Sequence, residues 1–241
     1  MENLIIGIIA EGKSDHAVIA NILKGALGID INTQVQFLVP QLNADETDLN
    51  RGEQSLLQFS NWTIVRQRCI EREVINEFFE ENIFAERLAL VIQIDTAERF
   101  LKNYEVTEPP KTKAQDYSEK LRKNVILKIN EWLAQPYENI FYAIAIEETE
   151  AWLLALHEKK KSDTAEYNKP KEDYFRALNK ILKKKQRNVL TIKDEFIKYK
   201  DLSWDLRKNK PLKKARSKNK SLDLFCISLE EGLMNDPQEE E

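Results

Sequence analysis

Histidine and cysteine are nearly absent. His16 and His157 are the only histidines in 241 residues, and Cys69 and Cys226 are the only cysteines. At those spacings they match no zinc-ligand pattern, and two cysteines make no disulfide framework. Ordinary buried thiols in a reducing cytoplasm are the expectation. No apolar run approaches the roughly 20 residues of a membrane span, so no membrane partner is expected. The first apolar segment is too short for a signal-peptide core, and an acid follows it where small cleavage-site residues would stand. Phosphate-cradling loops are missing as well. Gly7 and Gly12 fit neither the G-x-x-x-x-G-K-[ST] spacing nor G-x-G-x-x-G.

What is present is a distinctive opening. Leu4-Ile5-Ile6-Gly7-Ile8-Ile9-Ala10 is short, continuous and apolar, as a strand buried on both faces requires. Glu11-Gly12-Lys13-Ser14-Asp15 follows, and apolar residues then recur at 18, 19, 22, 23 and 26, the period of a helix. Gly12 is expected to give a tight turn, Ser14 to cap the helix, and Asp15 to sit in the first turn, where the dipole favours an acid. Glu11 is harder to explain by structure alone, because a carboxylate is a poor way to end an all-apolar strand. The C-terminal edge of such strands is where open α/β sheets bind ligands. An acid there repels phosphate unless a cation intervenes, which points to a divalent metal.

Hydrophobic residues make up 42% of the chain and charged residues 32%, the balance of a soluble globular protein with a normal core. Strand-like runs lie at 3–10, about 34–40, 88–95 and 139–146. Helical patterns lie between them at about 15–27, 62–84 and 117–134. This alternation predicts an α/β fold with a mainly parallel four-stranded sheet flanked by helices. Residues 41–61 and 103–114 read as long loops. Beyond about 160 the strand signals stop. Helices are expected at 172–187, with Tyr174, Phe175, Leu178, Ile181 and Leu182 on one face, and at 191–200 and 221–233. The division is therefore a domain over 1–160, a helical and basic C-terminal extension over 161–234, and an acidic disordered tail over 235–241.

Charge is segregated. Residues 180–220 carry sixteen Lys or Arg against four acids, and nothing basic follows them. Within that block, Lys208, Lys210, Lys213, Lys214, Arg216 and Lys218 form a nearly pure basic run. Such a run suits a nucleic-acid backbone, contacted without base reading and with strong salt dependence. A merely solvated lysine face is the alternative. Tyr199 and Trp204 could stack on bases, but their spacing favours core packing.

Three strands end in acid. The first ends at Glu11, the third at Asp95 with Glu98 close behind, and the fourth in Glu147-Glu148-Thr149-Glu150. If the strands are parallel neighbours these carboxylates meet at one sheet edge. Like charges packed together are costly, and a hard cation with oxygen ligands, Mg²⁺ or Mn²⁺, relieves that cost. Glu11, Asp15, Asp95, Glu98, Glu148 and Glu150 are the candidate metal ligands. Each of Glu147, Glu148 and Glu150 could instead be a first-turn residue favoured by the helix dipole.

The strand–Glu11-Gly12–helix unit with a later strand ending in Asp95 resembles the Toprim domain of topoisomerases, primases and OLD-type nucleases. Glu11 to Asp15 and Glu148-Thr149-Glu150-Ala151-Trp152-Leu153-Leu154-Ala155 are more closely similar to the small bacterial Toprim-like proteins of the uncharacterised domain family DUF4276. The resemblance covers roughly residues 1–160. It implies a Toprim-like fold and a metal-dependent nuclease acting on DNA or RNA, with Glu11, Asp95 and Glu148 as catalytic residues and Mg²⁺ or Mn²⁺ as cofactor. It also implies a role in phage defence beside an ABC-type ATPase subunit. The chain departs from the Asp-x-Asp pattern, since Ala97 stands at the second Asp position. Either Glu98 substitutes, or Glu148 and Glu150 complete the site, or the metal site is degraded. In the last case the chain would be a non-catalytic Toprim-like scaffold or the nucleic-acid-binding subunit of an ATPase complex. A phosphoryl-transfer enzyme for a small substrate is a third reading, against which the basic run weighs.

Overall fold

The computed structural model describes residues 4–41, 62–111, 114–135, 137–159, 163–166, 169–181 and 184–234. Residues 42–61 of the loop expected over 41–61, and the acidic tail expected over 235–241, lie outside the described residues. The elements run in the order β1 (Leu4–Ile9), α1 (Lys13–Leu27), α2 (Ile31–Gln34), β2 (Val35–Val39), α3 (Trp62–Glu71), α4 (Glu73–Glu81), β3 (Arg87–Asp95), α5 (Ala114–Leu133) and β4 (Ile140–Ala145). The helices α6 (Glu150–His157), α7 (Pro170–Ile181), α8 (Glu195–Leu202), α9 (Asn209–Arg216) and α10 (Lys220–Met234) follow.

The four strands form one sheet in the order β2-β1-β3-β4 with every neighbouring pair parallel. The fold is α/β, with a helical C-terminal region. Parallel strands are buried on both faces, and the side chains divide accordingly. Ile6 and Ile8 of β1, Ala89 and Val91 of β3 and Ala143 of β4 pack with α1, α6 and the C-terminal helices through Trp152, Tyr174, Leu212, Phe225 and Leu229. Leu90, Ile92 and Ile94 of β3 and Ile144 of β4 face α3, α4 and α5 through Val65, Phe78, Leu121 and Val125. Helices 170–234 therefore share a core with the sheet.

Boundaries differ where a single backbone torsion decides them. The helical pattern at 62–84 is two helices, because Arg72 takes a left-handed φ of 61° between α3 and α4. The apolar period crosses the bend, so Cys69 and Ile75 still face the sheet. α7 ends at Ile181, which is 49% exposed rather than part of the buried face, and residues 184–191 form 3-10 turns. α8 starts at 195, where Asp194 caps it by accepting from the Ile197 N–H. Both cysteines are buried free thiols whose pKa burial pushes up to about 12, which leaves them unreactive. No described helix is long and apolar enough to cross a membrane.

One glycine sets a close approach. At Gly25 in α1, an added Cβ would lie 2.0 Å from the Leu206 carbonyl oxygen in the 3-10 turn Trp204–Arg207. Alanine is the better helix former by about 1 kcal/mol, yet overpacking of this kind costs about 1–3 kcal/mol or more. Gly25→Ala is expected to lower the urea midpoint with an unchanged denaturant slope. A rise in the midpoint would mean that the contact yields freely.

Candidate active site

The strand order reverses between β1 and β3, so the crevice at their C-terminal ends is the switch point where doubly wound sheets take ligands. β1 and β3 pair from Leu4↔Arg87 to Ile9↔Ile92, and β3 pairs with β4 up to Asp95↔Ala145. These registers bring the three acidic strand ends together. The Asp95 N–H donates to Glu11 Oε1 at 2.6 Å. The same edge is reached by Asp15 from the first turn of α1, by Glu98 from the turn after β3 and by Glu150 from the start of α6. Asp15 and Glu150 are only 8% and 5% exposed.

α1 begins differently from its expected start. Gly12, not Ser14, occupies the N-cap, and no side chain caps the helix. Gly12 has an extended backbone, so a left-handed turn is not its purpose. An added Cβ would stand 3.2 Å from Asp15 Oδ2, so the absent side chain makes room for that carboxylate. His16 is fully buried, its Nε2–H donating to the Val39 carbonyl at 2.6 Å. Burial lowers its pKa to about 4, leaving it neutral.

Three neutral side chains that the sequence left unmarked organise the acids. Gln93, fully buried in β3, accepts from the Glu11 N–H at 3.0 Å and donates to Asp95 Oδ1 at 2.8 Å. Thr149 donates to the same oxygen at 3.0 Å and lies within hydrogen-bond reach of Asp15. Tyr104 donates to the Asp95 carbonyl at 2.8 Å. On the α6 side, the Tyr199 hydroxyl donates to Glu150, and the Lys171 ammonium stands 3.4 Å from the same oxygen. The Lys171 N–H, at the start of α7, donates to Glu148 Oε2 at 3.2 Å. A glutamine inside an apolar strand and a threonine between glutamates were the available sequence signals. Tyr199, expected to pack in the core, is buried there and also carries this hydrogen bond.

Glu147 does not join the cluster. It adopts a left-handed φ of 64°, a conformation costing about 1–3 kcal/mol outside glycine. Its N–H donates to Thr96 Oγ1, and its carboxylate pairs with the buried Arg99 at 3.1 Å. Arg99 also pairs with Glu108 at 3.0 Å, so the loop after β3 is tied to the loop after β4. Ala97, exposed on that loop, contributes only its backbone N–H, to the Glu147 carbonyl.

The electrostatics follow from burial. Burial pushes the Glu11 carboxyl well above the usual range; the Asp95 N–H pulls it back, and the charges of Asp15 and Glu98 raise it again. Asp95 is raised by burial and by Asp15, Glu11 and Glu150. Burial raises Glu148 too, with Glu150 adding to it. Glu11, Asp15, Asp95 and Glu150 thus share one electrostatic neighbourhood; Glu98 acts on Glu11 by charge alone, and Glu148 stands at the margin on the Lys171 N–H.

Oxygen donors alone suit a hard divalent cation. Glu11 Oε2 and Asp95 Oδ2 keep no hydrogen-bond partner among the described residues; with Asp15 they are the groups that would hold one. Among the described residues, no three His, Cys, Asp or Glu side chains already stand as a metal-ligand set. Glu11, Asp15, Asp95, Glu148 and Glu150 instead each have an oxygen drawn to a protein donor. Family models, curated proteins and solved structures give no match to this chain.

The basic run is partly neutralised. Arg216 is engaged by Asp223 at 2.9 Å and Glu230 at 2.5 Å, and is only 14% exposed. Lys208 pairs with Asp205, while Lys214 and Lys218 donate to the carbonyls of Leu156 and Glu158. Lys210 and Lys213 are exposed and pair with no described acid.

Asp15 rises from an ordinary 3.8 to about 6, through burial foremost. The folded chain therefore holds that proton more tightly than the unfolded chain does. The resulting stabilisation is complete below pH 4 and is lost as pH climbs through 6. At about 1.4 kcal/mol per unit, the upper bound is on the order of 3 kcal/mol. Asp15→Asn is expected to flatten the stability profile between pH 4 and 6 and to raise the melting temperature at neutral pH. An unchanged slope would place the strain elsewhere.

Proposed function

We propose that this chain is a divalent-metal-dependent nuclease, hydrolysing a phosphodiester of DNA or RNA at the C-terminal edge of β1, β3 and β4. The observation that carries this reading is the gathering of buried carboxylates with raised pKa values at the switch point of the sheet. A carboxylate site of this kind serves phosphoryl chemistry because a bound divalent cation supplies charge neutralisation and an acidified water. Glu11 and Asp95, with Asp15, offer the oxygens to hold it. Glu11, raised toward neutrality, is suited to accept a proton at Oε2. Lys171, 3.4 Å from Glu150, would add positive charge for a phosphate at this edge. Lys210 and Lys213 supply backbone attraction at a distance. A place in anti-phage defence beside an ABC-type ATPase subunit is carried only by the resemblance of Glu11–Asp15 and Glu148–Ala155.

A second reading, a non-catalytic scaffold or nucleic-acid-binding subunit, is favoured by Ala97 at the second Asp position. Against it stands Glu98, which reaches the field of Glu11 from the next residue.

Both readings are separated by cleavage of labelled single- and double-stranded DNA and RNA with Mg²⁺, Mn²⁺ or EDTA. The nuclease reading expects metal-dependent cleavage that Glu11→Gln reduces by about 10²–10⁴-fold without lowering the melting temperature. Persistent cleavage by Glu11→Gln, still abolished by EDTA, would move the site. No cleavage by the parent in any metal would favour the scaffold. For binding, the pair Lys210→Glu and Lys213→Glu is expected to weaken affinity and reduce the salt slope by about one unit per lost phosphate contact. Arg216→Glu is expected to cost stability instead, because it places a third acid beside Asp223 and Glu230. Equal loss of binding by all three without a stability change would overturn that division.

A further inference from the structure

A cavity of about 350 Å³ lies between α1, the edge strand β2 and α8, separate from the carboxylates. That volume falls at the small end of the ~300–1,000 Å³ of ligand pockets. Val35, Phe37 and Phe196 make its apolar wall, with the two phenyl rings edge to face at 5.4 Å between centroids. Its polar lining is Asn21, Lys200 and Arg207.

Arg207 is held ready. Its Nε–H donates to Asn21 Oδ1, and its guanidinium lies over the Trp204 ring at 4.2 Å from the centroid. Asn21 is fully buried and is fixed in turn, its amide donating to the Lys200 carbonyl at 3.0 Å and to the Ser203 hydroxyl at 2.6 Å. The guanidinium plane is thereby set, and neither of its two terminal nitrogens has a hydrogen-bond partner among the described residues. No Asp or Glu lines the cavity, and neither Arg207 nor Lys200 pairs with a described carboxylate. Half-buried cations ordinarily have a counter-charge. Burial draws the Arg207 pKa down, as it does for a cation without one.

We propose that this cavity binds a phosphate monoester bearing an aromatic group, with the phosphate on the Arg207 fork and the Lys200 ammonium and the ring against Phe37 and Phe196. Two uncompensated cations match a dianion better than a single carboxylate. A fixed guanidinium presents paired donors to phosphate oxygens, which a lysine does not. A nucleoside 5′-monophosphate has this chemistry.

Isothermal titration of the full chain with adenosine 5′-monophosphate tests it, in EDTA so that metal-dependent binding at the carboxylates does not contribute. Adenosine, inorganic phosphate and benzoate are titrated alongside. The expected result is one saturable site per chain, with each of the other three compounds at least about tenfold weaker. Arg207→Met and Lys200→Met should each weaken the monophosphate by about tenfold or more, and Arg207→Lys should recover only part of the loss. Lys200→Met keeps the backbone carbonyl that Asn21 uses, so it carries the test if Arg207→Met melts early. Absence of monophosphate binding at millimolar concentration would overturn the proposal. So would equal affinity for benzoate or inorganic phosphate, or binding untouched by both methionine variants.

Discussion

The parallel pairing of β1 with β3 is the constraint on which the rest depends. Because Ile9 sits beside Ile92, both strands run out at the same edge and both do so in acid. The bond from the Asp95 N–H to Glu11 Oε1 is the direct product of that register. A slip of one residue would turn every side chain of β1 to the opposite face. It would exchange the packing of Ile6 and Ile8 against α1 for that of Ile5 and Gly7, and would carry Glu11 away from Asp95. Core and candidate site are thus specified by one register.

Gathering acids in a half-dry crevice sets a thermodynamic problem that the surrounding residues answer with neutral donors. Gln93 and Thr149 donate to the Asp95 carboxylate without adding charge, and Tyr199 does the same for Glu150, where Lys171 adds the one nearby positive charge. The answer is partial, since Glu11, Asp15 and Asp95 all keep raised pKa values. Arg99 is used on Glu147 and Glu108 and ties the loops after β3 and β4. The negative character of the crevice is left largely intact, as an oxygen-donor site for a cation requires.

Much of this was legible in the sequence because it rests on short-range pattern. Apolar runs marked all four strands, and the acids that close three of them marked the edge. The Glu-Ala-Trp-Leu-Leu-Ala segment is now seen to divide its labour: Ala151 to Ala155 are buried, Trp152 stacks on Phe225, and that packing sets where Glu150 stands. What was illegible depends on distance in the chain. Gln93 looks ordinary until Glu11 and Thr149 arrive beside it. The basic run looks free until Asp223 and Glu230 fold back onto Arg216. The break at Arg72 and the turn at Glu147 each rest on a left-handed torsion in a residue type that rarely adopts one.

The shared core between the sheet and helices α8–α10 limits how this chain could be cut or recombined. Composition suggests a modular reading, with a compact domain ending near residue 160 and a detachable basic appendage. A fragment stopping there would strip Phe225 from Trp152 and α10 from β4, and would remove Tyr199 from Glu150. Any recombination that exchanged these helices would also have to supply a new lid for that face of the sheet and a new hydroxyl for the acid.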